Sequence, residues 1–101
     1  MMDFGLDPTT VANIRSVFAK YPEIEQVWIY GSRAKGNYRA GSDIDLTLKG
    51  DQLTDNIRSK VWLDIDALHT PYLFDISVFK DVNSLSLIEH INRVGKVFYE
   101  K

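Results

Sequence analysis

The chain has no cysteine, which excludes disulfides, thiolate nucleophiles and thiolate metal sites together. It has almost no net charge: 12 lysines and arginines against 14 acidic residues leave −2, so the broad positive field of a dedicated DNA or RNA binder is missing. No run approaches the ~20 apolar residues of a membrane span. The start, Met-Met-Asp-Phe-Gly, lacks the basic-then-apolar pattern of a signal peptide, and the expected location is cytoplasmic. Linkers, internal repeats and low-complexity tracts are also missing.

What is present is the composition of an ordinary globular protein, 45% hydrophobic and 26% charged over 101 residues. That length predicts one domain over residues 1–101 with one core. The only concentrated positive feature is a short cluster of Arg33, Lys35 and Arg39.

Asp7-Pro8 spells a helix start, because Asp accepts first-turn amides and Pro suits the first helical position. Val11, Ile14 and Phe18 then recur at helical spacing to about Lys20. Ile24 to Tyr30 is a run of the kind that forms a strand buried on both faces, ended by Gly31-Ser32. Residues 33 to 42 are polar, a helical turn and then a loop. Asp43 to Lys49 alternates strictly, with Ile44, Leu46 and Leu48 on one face and Asp43, Asp45 and Thr47 on the other.

Gly50-Asp51 turns into a helix predicted from Gln52 to Leu68, and Leu73 to Phe79 reads as a third strand. Ser86 and Glu89 have capping-box spacing, with Ser84 as an alternative cap, ahead of the apolar Leu87, Ile88, Ile91 and Val94. Gly95 suits a terminator, leaving Val97 to Tyr99 as a last strand or a packed tail. The predicted class is α/β (α+β), a small mixed sheet with helices packed on it.

Asp43 and Asp45, two apart on a strand, share a face with α-carbons ~7 Å apart. Such a pair can reach two divalent ions ~3.5–4 Å apart, a recurrent device for displacement at phosphorus. Magnesium suits it, since that ion takes oxygen ligands and shares its shell with phosphates; manganese is the alternative. The spelling alone proves little, because Asp64-Ile65-Asp66 repeats it inside a helix, where residues i and i+2 diverge. The company of the first pair matters more. Gly31 lets backbone approach a ligand closely, and the amides opening the next helical turn, with the Ser32 hydroxyl, can meet a phosphate. Neither the P-loop nor the G-x-G-x-x-G spelling fits this stretch. Asp75 lies inside an otherwise apolar strand, where a carboxylate must be exposed, paired or metal-bound. If the strands carrying Asp45 and Asp75 are neighbours, it is a third carboxylate for the same site.

Gly31-Ser32, ten residues, Asp43-x-Asp45 and then Asp75 resembles the signature of the polymerase-β-type nucleotidyltransferase superfamily. Within it, the run GSRAKGNYRAGSDIDL resembles the minimal nucleotidyltransferases, the MNT family. The resemblance implies the polymerase-β-like fold, a triphosphate held by Gly31 and Ser32, two magnesium ions on Asp43 and Asp45, and Asp75 completing the set and helping to activate an acceptor hydroxyl. Ser42 is a further phosphate contact on this pattern, and Arg33 reaches phosphate or pairs with a nearby acid. The likeness also implies ATP as donor, AMP transfer with release of pyrophosphate, and a helical HEPN-type partner for which such proteins act as antitoxin, or else a homo-oligomer.

Two competing readings stay open: a catalytically silent nucleotide-binding antitoxin that works by binding, and, more weakly, direct nucleic-acid binding through Arg33, Lys35 and Arg39. His69 and His90 lie outside the motif and read as surface or helix-end residues. Trp28, Tyr30, Trp62, Phe74, Phe79 and Phe98 read as core or interface, with any exposed one able to stack on a base.

Overall fold

In a computed structural model, which describes residues 3–101, the chain runs as four helices and four strands. Met1 and Met2, which open the amino-terminal stretch read above, lie outside the described residues. Helix α1 spans Pro8–Ala19, strand β1 Gln26–Tyr30, the short helix α2 Ser32–Lys35 and strand β2 Ile44–Lys49. Helix α3 follows over Asp55–Asp66, strand β3 over Phe74–Val78, helix α4 over Leu85–Val94 and strand β4 over Lys96–Glu100.

Side-chain caps set the helix starts. Asp7 accepts the Thr10 amide at 2.9 Å with Pro8 in the first position, as the sequence predicts. Thr54 accepts the Ile57 amide at 3.2 Å and starts α3 three residues later than expected. Gln52 and Leu53 stay in the preceding turn, where Leu53 is buried as an anchor beneath the helix. At the other end α3 stops at Asp66, and His69 takes a left-handed φ of 54°. Of the two candidate caps for α4, Ser84 accepts the Leu87 amide at 3.2 Å. Glu89 instead pairs with Arg93 one turn on, at 2.9 Å.

The sheet order is β3-β2-β1-β4. Strands β1 and β2 are antiparallel, β2 and β3 are parallel through the α3 crossover, and β4 runs antiparallel to β1. The sheet is therefore mixed, and the last segment is a true edge strand. Strand β1 begins at Gln26 rather than Ile24, because Ile24 still closes a turn on the Tyr21 carbonyl at 3.0 Å.

One face carries the core. Val27 and Ile29 from β1, Ile44, Leu46 and Leu48 from β2, and Ile76 and Val78 from β3 are buried with Val11, Ile14 and Phe18 of α1 and Val61 and Ile65 of α3. The alternation read from β2 is thus realised, since period two sends alternate side chains to one side. On the other face only α4 packs, over β1, where Ile91 is buried and the His90 ring meets Tyr30 edge-on at 6.1 Å. Strand β1 is consequently covered by α4 on its second face, and its Trp28 and Gln26 remain only partly buried.

Candidate active site

The registers assemble the acids. Across the sheet Tyr30 pairs with Asp45, and Asp45 with Asp75, so one row of the α4 face reads Tyr, Asp, Asp. The next row is Trp28, Thr47, Ser77, in which the Ser77 hydroxyl donates to Thr47 Oγ1 at 3.0 Å. Asp43 falls one residue before β2 instead of inside it, on the lip of the sheet, exposed. Strand pairing starts at Ile44, whose amide donates to the Leu73 carbonyl at 2.9 Å.

Charge crowding follows. Half-burial, then the charges of Asp75 and Asp43, push the Asp45 carboxyl up to about 6. Tyr30 is pushed up to about 12 by burial and by the charges of Asp75 and Asp45, with the Ser77 hydroxyl working the other way. The ion pairs among the described residues, Arg58 with Asp55 and Arg93 with Glu89, lie elsewhere, so no cationic side chain neutralises the row.

Hard oxygen donors with unbalanced negative charge fit a divalent cation of the magnesium type. Among the described residues no three acidic or histidine side chains already enclose a single point.

Gly31 stands directly against this row. It precedes α2 with φ of 74° and ψ of −156°, a conformation essentially confined to glycine. A β-carbon there would collide with a carboxylate oxygen of Asp45. The group that Gly31 approaches closely is the Asp45 carboxylate. Ser32 opens α2, whose first-turn amides lack helical acceptors. Ser42 accepts the Arg39 amide through its hydroxyl at 2.8 Å and holds the loop before Asp43, leaving its own proton available for donation.

Arg33 corrects the reading of phosphate or acid partner. It is 2% exposed, and its guanidinium is committed to main-chain carbonyls. Nε donates to Ser42 at 3.1 Å, Nη2 to Ser42 at 3.0 Å and Ala40 at 3.4 Å, and Nη1 to Phe4 at 2.9 Å. The rings of Tyr72 and Tyr38 lie 4.9 and 5.3 Å from its centre. Gly5, at φ of 77°, packs without a side chain against Tyr38 and Arg33. A planar fork matches several carbonyls at once, and no lysine could. The basic cluster shrinks to Lys35 and Arg39 at the surface. The helical repeat also behaves as expected: Asp64 accepts the Tyr21 hydroxyl at 2.5 Å, while Asp66 points to solvent.

Residues that the sequence reading missed are Tyr30 and His90, which wall the acid row on the β1 side, and Tyr72, which stacks on Arg33. For Tyr30 the period of β1 held the signal, since it shares a face with Trp28. His90 had none, because its place depends on how α4 docks. A concavity of about 710 Å³ among Pro22, Glu23, Lys49, Gly50 and Glu100 lies at the far end of β2 and has no part in this arrangement.

A mixed sheet with carboxylates on adjacent strands beside a glycine-serine turn fits the nucleotidyltransferase class that the sequence motif resembles. The family described as Polymerase beta, Nucleotidyltransferase matches residues 12–101, and the chain belongs to it. No curated protein matches its sequence significantly. Among solved structures it is similar to a toxin–antitoxin crystal structure with AMP-PNP, at 20% identity and TM-score 0.71 over 95% of this chain and 75% of that one. It is likewise similar to the MntA–HepT toxin–antitoxin, at 16% identity and TM-score 0.67 over 94% and 74% of the two chains. A complex of tri-AMPylated Shewanella oneidensis HEPN toxin with MNT antitoxin matches at 19% identity and TM-score 0.66, over 92% and 71%. At these identities the likeness is one of fold. No helix among the described residues is long and apolar enough to cross a membrane.

Proposed function

We propose that the protein transfers a nucleoside monophosphate, AMP from ATP, to an acceptor hydroxyl, and that the acceptor is carried by a HEPN-type protein partner. The observation that supports this most is the register that sets Asp45 beside Asp75, with Asp43 within charge reach and Gly31 against the Asp45 carboxylate.

Two magnesium ions, when bound, supply charge neutralisation at the reacting phosphorus and on the leaving phosphates. Asp43 and Asp45 are the residues to hold them. Gly31 and Ser32 present amides and a hydroxyl to the triphosphate, and Ser42 has a proton to offer it. Asp75 faces the acceptor and accepts its hydroxyl proton, which then passes to solvent. The acceptor oxygen forms its bond to the α-phosphorus, the bond from that phosphorus to the bridging oxygen breaks, and pyrophosphate leaves with the electron pair. Positioning and electrostatics carry most of the rate. Arg33 acts at one remove by fixing the loop that delivers Asp43.

Exposure of Asp43 and Asp75 favours a second reading, an antitoxin that binds nucleotide and neutralises its partner without chemistry, since an open site admits water. Labelled ATP with magnesium and a HEPN-type partner separates the two. Label on the partner that is lost in Asp43→Asn and Asp45→Asn but kept in Asp64→Asn supports transfer. Bound nucleotide with an unlabelled partner supports the silent module.

A further inference from the structure

The acid row has one member that carries no charge. Tyr30 closes β1 directly across from Asp45, so its side chain shares a face with Asp45 and Asp75. Its ring is 6% exposed and is held from above by His90 of α4. The phenol oxygen makes no hydrogen bond to any described residue, yet no fully buried polar side-chain atom among those residues lacks a partner. The oxygen is therefore the part of Tyr30 that reaches the surface, at the acid row. Packing alone would be served by phenylalanine; the polar tip finds its partner outside the bonds already formed.

The neighbours of the hydroxyl limit what it can meet. Ser77 lies close to it, but the Ser77 proton goes to Thr47 at 3.0 Å, and no bond of ordinary length joins serine and phenol. The Asp45 carboxylate is taken up against Gly31. The Asp75 charge acts on the phenol more strongly than that of Asp45, although β2 separates β1 from β3, so the hydroxyl reaches across β2 towards β3. Thr47, which lies under that path, is fully buried. Asp75 itself is exposed.

A neutral donor suits this place. An ammonium or guanidinium group beside Asp75 would cancel the negative charge that draws divalent cations. Lys49, on the same face, stays at the far end of β2, over the Trp28 ring at 3.5 Å and near Phe79 at 4.5 Å. A phenol keeps its proton at neutral pH and donates it without adding charge. A carboxylate has two oxygens, so one can accept from Tyr30 while the other faces the acceptor.

We propose that Tyr30 is a positioning residue for Asp75: its hydroxyl donates to one carboxylate oxygen of Asp75 and aims the other at the acceptor, with His90 fixing the ring. The inference rests on the transferase reading above and adds how an exposed base keeps its direction.

The hydrogen bond and the transfer are read separately on the full chain. Side-chain carboxyl carbons are followed by NMR, without metal, in the natural chain and in Tyr30→Phe, which keeps the ring. The Asp75 signal is expected to move and the Asp64 signal, whose partner is Tyr21, to stay. In Tyr21→Phe the pattern reverses, which shows that the loss of one phenol donor is detectable. An Asp75 signal unmoved by Tyr30→Phe, or a shift confined to Asp45, overturns the inference. With labelled ATP, magnesium and a HEPN-type partner, Tyr30→Phe should lower kcat about tenfold or more with the KM for ATP unchanged. A raised KM for ATP with kcat unchanged makes Tyr30 a nucleotide contact and also overturns it. A moved Asp75 signal with no transfer by the natural chain keeps the hydrogen bond and removes the transferase reading instead.

Discussion

Asp45 bears the largest physical cost in the site, being half-buried with two like charges near it, and that cost gives a pH dependence of defined sign. Its carboxyl lies at about 6 in the fold against an ordinary 3.8, so between those values the folded state holds more proton than the unfolded one. Without divalent cations, stability is therefore highest below pH 4 on this account and falls as pH rises to about 6. The group is about half exposed, so solvent screening reduces the effect to on the order of 1 kcal/mol. Asp45→Asn should remove that slope and melt about 4 °C or more above the natural chain at pH 7, while transfer activity disappears. Melting curves with a chelator check it, and a variant that melts lower contradicts the crowding. Gly31 belongs to the same argument. Gly31→Ala should cost roughly 1–3 kcal/mol from backbone conformation alone, with activity lost as Asp45 is displaced. Part of the loss should return when Asp45→Ala is added, a coupling that a double-mutant cycle reads directly.

At the scale of elements, the loop between α2 and β2 depends on Arg33, whose fork satisfies the carbonyls of Phe4, Ala40 and Ser42. Arg33→Met leaves these acceptors without their donor, each at about 1–3 kcal/mol when buried. We expect stability to fall by at least about 2 kcal/mol and trypsin to cut after Arg39 much faster, a result that limited proteolysis shows and that a phosphate ligand would not give. The same loop marks how far the sequence was legible. Period-two alternation located β2 and its faces, and the Gly31-Ser32 and Asp43-x-Asp45 spacing marked the candidate site, because those signals are local. The partnership of Asp45 with Asp75 needed the parallel register of β2 and β3, which only the conditional adjacency of two strands could suggest. Arg33 was misjudged because a surface-like basic triplet carries no mark of burial, and its acceptors lie 7 to 29 residues away. The start of α3 was misplaced because Gln52 and Leu53 fit a helical pattern, while Thr54 supplied the cap that decided it.

For the whole molecule, the helices are unequally divided: α1 and α3 close the core face, and α4 shields β1 alone on the other. At the β2–β3 end of that face Asp75 is exposed and Asp45 half-buried, while Thr47 one row along is fully covered. A fold with its repulsive acids on an open face gains most when cations and a polyphosphate settle there, since ligand binding to the folded state alone stabilises it by mass action. ATP with magnesium at a hundredfold excess over its dissociation constant should stabilise the chain by about 2.7 kcal/mol, raising the melting temperature by roughly 10 °C or more. Magnesium without nucleotide should give less, as it then lacks the phosphate oxygens that complete its shell. Asp43→Asn should abolish most of the nucleotide-dependent shift while leaving the unliganded melting temperature nearly unchanged, because Asp43 is exposed and lies outside the strand. A shift that survives in Asp43→Asn and vanishes in Lys49→Ala would place the nucleotide at the far end of β2 and separate it from the acid row.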